Sequence, residues 1–394
     1  MKERGNFWLR VLDRYVGIPL LCLLYLFRAI KKTGQEVNSV LVIKIGTIGD
    51  TLLLMPVLKA IKDAYPEAFL TVIGSKNNYE VLSRYSFIDS LKIFEVAKVI
   101  QEPSYFLRFI KDLNSKEYDV IMDFEPWPRV SALLAFFVKT GYKIGFKTTG
   151  QSRHMLFDSA ILHSPTHHEI DNYISLVNAI GVSVSNNCIE FPIFDAEKAF
   201  VEDVLERLPR EKERFDCDNL ILFHPWSSGY RGHLKQLKIE NFIDLAKILI
   251  EKGYWIGITG TQNNDVEAQD IVKVCPDKVV SFCGRLSLGE TAYLIKKSRL
   301  LITVNTGIMH LGAALNHPMI VLHGPAGVLR WGPVGSSNVI NIESDFDCAP
   351  CLNLGFEYKC KNGGCMDAIK VETVAQKVHE VVSCEIPPVA HIKS

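Results

Sequence analysis

The most constraining feature of this sequence is an alternation of short apolar runs with longer amphipathic stretches, and it occurs in both halves of the chain. In the first half, apolar runs typical of buried strands lie at 39–45, 69–74 and 118–124, and stretches with helical periodicity lie at 51–66, 104–117 and 129–140. Such alternation predicts parallel strands joined by helices that cover the faces of a sheet. The chain is therefore expected to be an α/β protein.

The same pattern restarts after a charged helix and a polar link at 196–218. Strand-like runs follow at 219–226, 255–260, 278–284, 300–307 and 319–325, with helical stretches at 240–253 and 288–298 and a closing helix at 371–384. Because 394 residues are many for one core, we expect two doubly wound domains. Their predicted limits are 38–195 and 219–370.

The N-terminal segment, residues 1–33, contains an uncharged run at 16–27 that has basic residues on both sides. A twelve-residue helix reaches about 18 Å, which is short of the roughly 30 Å hydrocarbon core of a bilayer. Aromatic residues near the basic flanks favour an amphipathic helix that lies in the membrane interface. The alternative is a helix that packs on the protein's own surface.

The charge balance argues against nucleic acid as a partner. Lys and Arg together number 44, as do Asp and Glu. A nucleic-acid-binding chain usually carries a basic excess or a long basic run. Neither is present in this sequence, so no nucleic-acid partner is predicted.

Two glycines and an acid, Gly46, Gly49 and Asp50, follow the first predicted strand. Glycine after a strand permits a tight turn and a close approach of the backbone. Asp50 can be read as the N-cap of the following helix, or as a carboxylate that takes a proton from a substrate hydroxyl. The spacing does not separate these two interpretations.

In the second half, hydrogen-bond donors collect where predicted strands end. One group follows 219–226, and the other lies around the end of 300–307; these residues are Ser227, Ser228, Lys235, Asn305, Thr306, Gly307 and His310. Hydroxyls, a lysine, a histidine and the free amides of a helix start are suited to a diphosphate. Ligands of parallel sheets bind at the carboxyl ends of strands, which is where both groups fall.

These stretches together resemble glycosyltransferase family 9, the bacterial heptosyltransferase-like enzymes, over nearly the whole chain. The resemblance rests mainly on IKIGTIGDTLLLMPVLKAIKDAYP, YRGHLKQLKIENF and NTGIMHLGAALNHPMIVLHGPAGVLRWGP. It implies a GT-B-like fold of two facing Rossmann-like domains with a central cleft. The first domain would hold the acceptor and the second the nucleotide-sugar, with inverting chemistry that needs no metal or other cofactor.

The resemblance also assigns roles to individual residues. Asp50 matches the family's catalytic base, and the loop glycines Gly46 and Gly49 precede it. The residues expected at the donor diphosphate are Ser227, Ser228, Lys235, Thr306, Gly307 and His310. Asn305 stands where the family commonly has Asp and is expected to contact the donor sugar or ribose. Trp226 stands where a small residue is usual, and both departures make heptose less secure as the expected sugar.

A cysteine-rich segment at 348–365 contains Cys348, Cys351, Cys360 and Cys365 in the spacing C-x2-C-x8-C-x4-C. This spacing suits a structural zinc, two disulfides or free thiols, and a cytoplasmic location disfavours the disulfides. Two D-x-D triplets, at 216–218 and 345–347, do not end predicted strands. No catalytic metal is therefore predicted.

The expected activity is transfer of a sugar, heptose or a related one, from a nucleotide-diphosphate donor to a lipopolysaccharide-type, lipid-linked or other cell-surface glycan acceptor. The expected location is cytoplasmic, peripheral on the inner face of the cytoplasmic membrane. A sugar-nucleotide epimerase of the same two-domain architecture is one alternative, because fold alone does not define function. A non-catalytic nucleotide-binding protein at the membrane is the other.

Overall fold

A computed structural model describes residues 11, 13–28, 36–208, 215–229, 231–353, 360, 364–382 and 390–393. The chain divides into two compact units, with the boundary between Asn187 and Cys188. Each unit is an α/β layer structure, so the predicted fold class is confirmed. The finer domain limits given by the sequence stay predictions.

The first unit contains six strands within the described residues: β1 Ser39–Ile43, β2 Phe69–Gly74, β3 Ser90–Ile93, β4 Tyr118–Asp123, β5 Thr140–Lys147 and β6 Ser159–Leu162. Its α-helices are α1 Gly17–Tyr25, α2 Ile48–Ala64, α3 Tyr79–Leu82, α4 Val96–Gln101, α5 Pro103–Leu113, α6 Arg129–Phe137 and α7 Glu169–Asn178. A 3-10 helix, Arg153–Leu156, connects β5 to β6. The helix predicted at 129–140 ends at Phe137 in the structure, and Thr140, the last residue of the predicted helix, begins β5.

The strands of the first unit form one parallel sheet in the order β3-β2-β1-β4-β5-β6. This is the order of a Rossmann fold, in which the direction of strand addition reverses between β1 and β4. Val40, Leu41, Val42 and Ile43 of β1 are fully buried, as expected for a central strand with helices on both faces. Residues that follow β1 and β4 therefore lie at the point where such folds bind ligands.

Helix α1 packs on the first unit through one of its faces. Leu21 is fully buried, and the helix lies against α6 and the 3-10 helix. Asp13, which precedes α1, pairs with the buried Arg129 through a 2.6 Å contact between Oδ2 and Nη1. Apolar side chains are exposed in the same segment: Tyr15, Val16, Leu23, Tyr25, Leu26 and Phe27. Among the described residues, no helix is long and apolar enough to span a membrane.

The second unit contains seven strands within the described residues: β7 Leu220–His224, β8 Trp255–Ile258, β9 Val279–Ser281, β10 Leu300–Val304, β11 Met319–His323, β12 Val339–Glu343 and β13 Ala390–Lys393. Its α-helices are α8 Asp195–Glu206, α9 Ile239–Glu251, α10 Asp265–Val272, α11 Leu288–Lys297, α12 Gly307–Ala314, α13 Val328–Trp331, α14 Gly364–Asp367 and α15 Val371–Val382. Short 3-10 helices occur at Cys217–Asn219, Gly232–Lys235 and Gln262–Asn264.

The second sheet is also parallel, in the order β13-β12-β11-β10-β7-β8-β9. The order repeats that of the first unit, and the reversal now falls between β7 and β10. The charged helix α8 packs on α11 in this unit, where Glu202 accepts a 2.7 Å hydrogen bond from the Tyr293 hydroxyl. The closing helix α15 packs on α9.

Candidate functional site

At the reversal point of the first sheet, the loop after β1 leads directly into α2. Thr47 is the N-cap of α2, and Gly46 and Gly49 are buried. Asp50 is the third residue of the helix and is partly exposed. The interpretation of Asp50 as the N-cap is therefore wrong. Its carboxylate lies in the first turn, where the helix dipole favours a negative charge.

A buried ion pair joins the two strands that flank this reversal point. Lys44 follows β1 and Glu125 follows β4; both are fully buried, and their Nζ and Oε1 atoms are 3.9 Å apart. The Lys44 ammonium also donates to the Tyr173 hydroxyl at 2.8 Å and to the Phe124 carbonyl at 3.3 Å. These contacts compensate a charge that would be costly to bury alone.

A second buried ion pair lies at the end of β4. Asp123 pairs with Arg153, and its Oδ2 accepts a 2.9 Å hydrogen bond from the Ser131 hydroxyl. Burial raises the pKa of Asp123 to about 6, although the Arg153 guanidinium acts in the opposite direction. The Glu125 amide donates to Oδ1 of Asp123 at 3.0 Å. The segment that follows β4 is thus held in position by the ion pair and hydrogen bonds of Asp123.

The end of β6 contributes a histidine and a carboxylate. His163 Nε2 lies 3.0 Å from Oε2 of Glu169, and both residues are buried. The indole ring of Trp127 packs edge-on against the His163 imidazole, with 5.2 Å between ring centroids. Sequence reasoning missed these residues and Lys44 and Glu125. For Lys44, Glu125 and His163, the available signal was a charged residue or a histidine within two residues of the end of a strand; Trp127 and Glu169 gave no such signal.

At the reversal point of the second sheet, the loops after β7 and β10 touch. The Ser227 hydroxyl donates to the Asn305 carbonyl at 3.3 Å, and both residues are buried. Ser228 is exposed beside them. The sequence placed these residues at the ends of neighbouring strands, and the structure brings Ser227 and Asn305 into contact.

The Asn305 side chain is hydrogen-bonded to a backbone carbonyl of the protein itself. Its Nδ2 donates to the Trp331 carbonyl at 3.0 Å and lies 3.4 Å from Nδ1 of His323. The other imidazole nitrogen of His323 lies 2.9 Å from Oδ1 of Asn341 on β12. An aspartate at position 305 would lack the donor that the Trp331 carbonyl requires. The departure from the family's usual acid therefore has a structural reason in this chain.

Helix α12 begins immediately after this loop. Thr306 is its N-cap in an extended conformation, and within the described residues its side chain makes no capping bond. Gly307 is the first helical residue, and His310 lies on the first turn and is buried. The amides of a first helical turn have no partner within the helix and attract anions. The start of α12 is therefore suited to a phosphate group.

The segment that carries Lys235 is bonded to the loop after β7. Lys235 ends the 3-10 helix Gly232–Lys235 and is partly exposed. A Cβ atom at Gly232 would lie 2.4 Å from the Ser227 carbonyl oxygen, so only glycine permits this close approach. The Gln236 amide donates to that carbonyl at 2.8 Å. These contacts hold the segment that carries Lys235 against the loop after β7.

Trp226 and His224 precede the serines, and Trp226 belongs to the core. The Trp226 ring packs in the core of the second unit, and its Nε1 donates to Oε2 of Glu267 at 2.6 Å. His224 Nδ1 lies 3.0 Å from the Thr259 hydroxyl. Burial lowers the pKa of His224 to about 4, so this imidazole is neutral near neutral pH. Trp226 thus anchors the start of the loop after β7 to the core of the second unit.

The four cysteines of the C-terminal segment line one small cavity. Cys348, Cys351, Cys360 and Cys365 share it with Leu234, Pro325, Phe346 and Gly364, and its volume is about 20 Å³. Burial, and then the neighbouring thiols, raise the pKa of Cys365 to about 11. Cys348 and Cys365 are not in disulfide bonds. Across the same residues, no group of three or more His, Cys, Asp and Glu side chains is arranged to hold a metal ion.

Comparison with known proteins identifies a family for this chain. The sequence profile of glycosyltransferase family 9 (heptosyltransferase) matches residues 106–362. Lipooligosaccharide heptosyltransferase 2 of Haemophilus influenzae is 24% identical over 317 residues, which are 77% of this chain and 88% of the relative. Lipopolysaccharide heptosyltransferase 3 of Escherichia coli is 24% identical over 295 residues, which are 72% of this chain and 82% of the relative.

Solved structures agree on the fold. A family 9 glycosyltransferase from Veillonella parvula superposes with a TM-score of 0.72 at 21% identity, covering 90% of this chain and 99% of its own. The E. coli ADP-heptose lps heptosyltransferase II gives a TM-score of 0.67 at 19% identity, covering 88% of this chain and 99% of its own. The profile match covers more than half of the chain and the curated relatives are glycosyltransferases, which leaves no support for the epimerase and non-catalytic alternatives. The chain therefore belongs to glycosyltransferase family 9 and is a glycosyltransferase.

Proposed function

We propose that this enzyme transfers heptose or a related sugar from a nucleoside-diphosphate donor to a lipopolysaccharide-type acceptor. The observation that supports the donor class is the carboxyl edge of the second sheet. There the loop after β7 meets the loop that leads into α12, and the segment that carries Lys235 is bonded to the loop after β7. Curated relatives are named for heptose transfer onto lipopolysaccharide or lipooligosaccharide. A similar E. coli heptosyltransferase was solved with ADP and with a fluorinated ADP-heptose.

In the proposed reaction, the Asp50 carboxylate takes the proton of the acceptor hydroxyl as its oxygen attacks the anomeric carbon of the donor sugar. The new carbon–oxygen bond forms on the face opposite the bond to the diphosphate, which breaks with its electron pair, so the configuration inverts. Lys235, His310 and the Gly307 amide stabilise the departing diphosphate. Ser228 and Thr306 supply further hydroxyl donors, and Ser227 joins them when its hydroxyl turns from the Asn305 carbonyl to a phosphate oxygen. Asn305 holds the loop that faces the sugar or ribose. The reaction needs no metal.

The test is release of nucleoside diphosphate from ADP-heptose in the presence and absence of a heptose-accepting lipopolysaccharide core. We expect release to depend on the acceptor and a heptosyl product to appear in equal amount. UDP-, GDP- and dTDP-sugars serve as parallel donors. Release that does not depend on acceptor, or epimerised donor in place of a glycan product, would contradict the proposed function.

We further propose that the N-terminal segment attaches the enzyme to the cytoplasmic surface of the membrane. Leu26 and Phe27 are 76% and 73% exposed, and the exposed Arg14 lies in the same segment. Large exposed apolar side chains beside cations are typical of interfacial helices. Deleting residues 1–33 would be a poor test, because the buried Arg129 would lose Asp13.

A sharper test replaces Leu26 and Phe27 by Glu and measures sedimentation with vesicles that contain anionic phospholipid. Burying one large apolar side chain contributes about 1.5–3 kcal/mol, so binding should fall by about tenfold or more. Val266→Glu is the matched control, because Val266 is 79% exposed in the second unit. Equal vesicle binding by the double variant and the control would reject attachment through this segment.

A structural zinc at the cysteine segment is the finer hypothesis about cofactors. Four thiolates are a known donor set for zinc, but the sulfur atoms around the cavity would have to draw together to hold it. Metal analysis of protein purified under reducing conditions tests this hypothesis. One zinc per chain would support it, and a metal-free protein with four titratable thiols in this segment would reject it.

A further inference from the structure

The turn after β1 and the start of α2, which together carry Gly46, Gly49 and Asp50, are held in place by a buried side chain from the connection that follows β2. Asn78 lies between β2 and α3 and has no exposed surface. Its Nδ2 donates to the Lys44 carbonyl at 2.8 Å and to the Thr51 hydroxyl at 2.9 Å. Lys44 begins the loop, and Thr51 follows Asp50 directly.

The orientation of the Asn78 amide is fixed by its partners. Oδ1 accepts from the Ser75 amide at 2.7 Å and from the Ser75 hydroxyl at 3.3 Å. A carbonyl oxygen can only accept and a backbone amide can only donate, so exchanging the oxygen and nitrogen of Asn78 would break bonds on both sides. Both hydrogens of the Nδ2 group and both lone pairs of Oδ1 are used.

Thr51 links Asn78 to the helix that carries Asp50. Its hydroxyl accepts from Asn78 and donates to the Thr47 carbonyl at 2.7 Å. The Thr51 amide donates to the same carbonyl at 3.0 Å. Asn78 and Thr51 therefore fasten the loop start at Lys44, the N-cap Thr47 and the first turn of α2 as one unit.

The loop is fastened from its other side by the buried pair of Lys44 and Glu125. Strands β2 and β4 are the two neighbours of β1 in the sheet. The connections that follow both neighbours thus hold the turn after β1.

We propose that Asn78, acting through Thr51, is the positioning residue for the Asp50 carboxylate in the transfer reaction. This inference rests on the proposed role of Asp50 as the base. General-base catalysis requires the carboxylate within hydrogen-bond reach of the acceptor hydroxyl. A displacement of about 1 Å is able to cost roughly 100-fold in rate.

The test compares Asn78→Ala with Thr51→Val and Thr51→Ser, using acceptor-dependent release of nucleoside diphosphate from ADP-heptose. Asn78→Ala and Thr51→Val should lower kcat by about 10- to 100-fold, with the Kd for ADP unchanged. Thr51→Ser keeps the hydroxyl and should retain activity. Asn114→Ala is the matched control, because its amide bonds the Phe137 carbonyl and the Lys139 amide at the amino end of the sheet.

The decisive measurement is a double-mutant cycle with Asp50→Asn. If Asn78 acts through the base, adding Asn78→Ala to Asp50→Asn should change the residual rate by less than about twofold. An equal loss in both backgrounds, or normal kcat in a folded Asn78→Ala protein, overturns the inference. If Asn78→Ala fails to fold, the contrast between Thr51→Val and Thr51→Ser decides. Normal turnover of Asp50→Asn would overturn both the positioning role and the proposed base.

Discussion

The two reversal points of this enzyme share a strand order but differ in their chemistry. In the first unit, the strands beside the reversal are joined by the buried charges of Lys44 and Glu125. In the second unit, the corresponding contact is made by neutral groups, the Ser227 hydroxyl and the Asn305 carbonyl. The same backbone topology therefore supports two different environments, and the side chains after the strands decide which one forms.

This difference suits different tasks. In the first unit the cation next to the loop is already compensated by the protein, and the acid Asp50 is partly exposed in the first turn of α2. In the second unit, the start of α12 offers backbone amides. The two environments support the proposed roles, in which Asp50 accepts a proton and the start of α12 binds the diphosphate.

The largest expected effect on stability comes from breaking the charged contact of the first unit. Lys44→Met should lower the free energy of unfolding by about 3–5 kcal/mol, because Glu125 would stay buried without its cation. Denaturant unfolding measures this change. Lys59→Met is the control, since Lys59 forms an exposed pair with Asp63 and such pairs contribute about 1 kcal/mol or less. If Lys44→Met lowered the free energy of unfolding as little as Lys59→Met does, the contact between Lys44 and Glu125 would not be an electrostatic one.

The pH dependence at the end of β4 is the next expected effect. Burial raises the pKa of Asp123 to about 6, so the folded state binds this proton more tightly than the unfolded state. The contribution of Asp123 to stability is therefore complete at about pH 4 and is lost as pH rises to about 6, with a ceiling of roughly 3 kcal/mol.

Unfolding of the wild type and of Asp123→Asn across this range isolates the effect, because other carboxyl groups cancel in the difference. The advantage of the wild type should shrink between about pH 4 and pH 6 and then stay constant. An advantage that grows with pH would mean that Arg153 holds the pKa of Asp123 below its unfolded value.

A smaller effect is expected at the neutral contact of the second unit. Asn305→Asp would turn a carboxylate oxygen toward the Trp331 carbonyl and should cost about 1–3 kcal/mol. Asn338→Asp is the control, because Asn338 is partly exposed and bonds the Asn316 carbonyl at 3.3 Å. Unchanged stability of Asn305→Asp would indicate that position 305 tolerates the family's usual acid.

The sequence predicted the α/β class and the strands that are mostly apolar, such as β1 and β10, because burial on both faces leaves a nearly continuous apolar signal. Strand β5 was missed. Only two residues separate it from the end of α6, and it contains Gly141 and Gly145, which weaken any strand pattern. Gly145 is needed there, since a Cβ atom would lie 2.4 Å from the Phe157 ring.

Apart from Lys235, which ends a 3-10 helix, the predicted base and donor-binding residues fall at strand ends or helix starts, because the carboxyl edge of a parallel sheet is a property of topology. The residues that hold these site residues in position were not predictable from the sequence. Lys44 pairs with a residue 81 positions later, and Asn78 bonds residues 34 and 27 positions earlier. Such contacts depend on strand order, which periodicity alone does not give.

The central claim is that proton transfer belongs to the first unit and donor binding to the second. The most direct measurement is calorimetric affinity for ADP-heptose beside turnover, in Asp50→Asn and Lys235→Ala. Asp50→Asn should lose about 10²–10⁴-fold in kcat with donor affinity unchanged, and Lys235→Ala should lose donor affinity because a charged phosphate partner is removed. Near-normal turnover of a folded Asp50→Asn protein, or loss of donor affinity in that variant, would contradict this division.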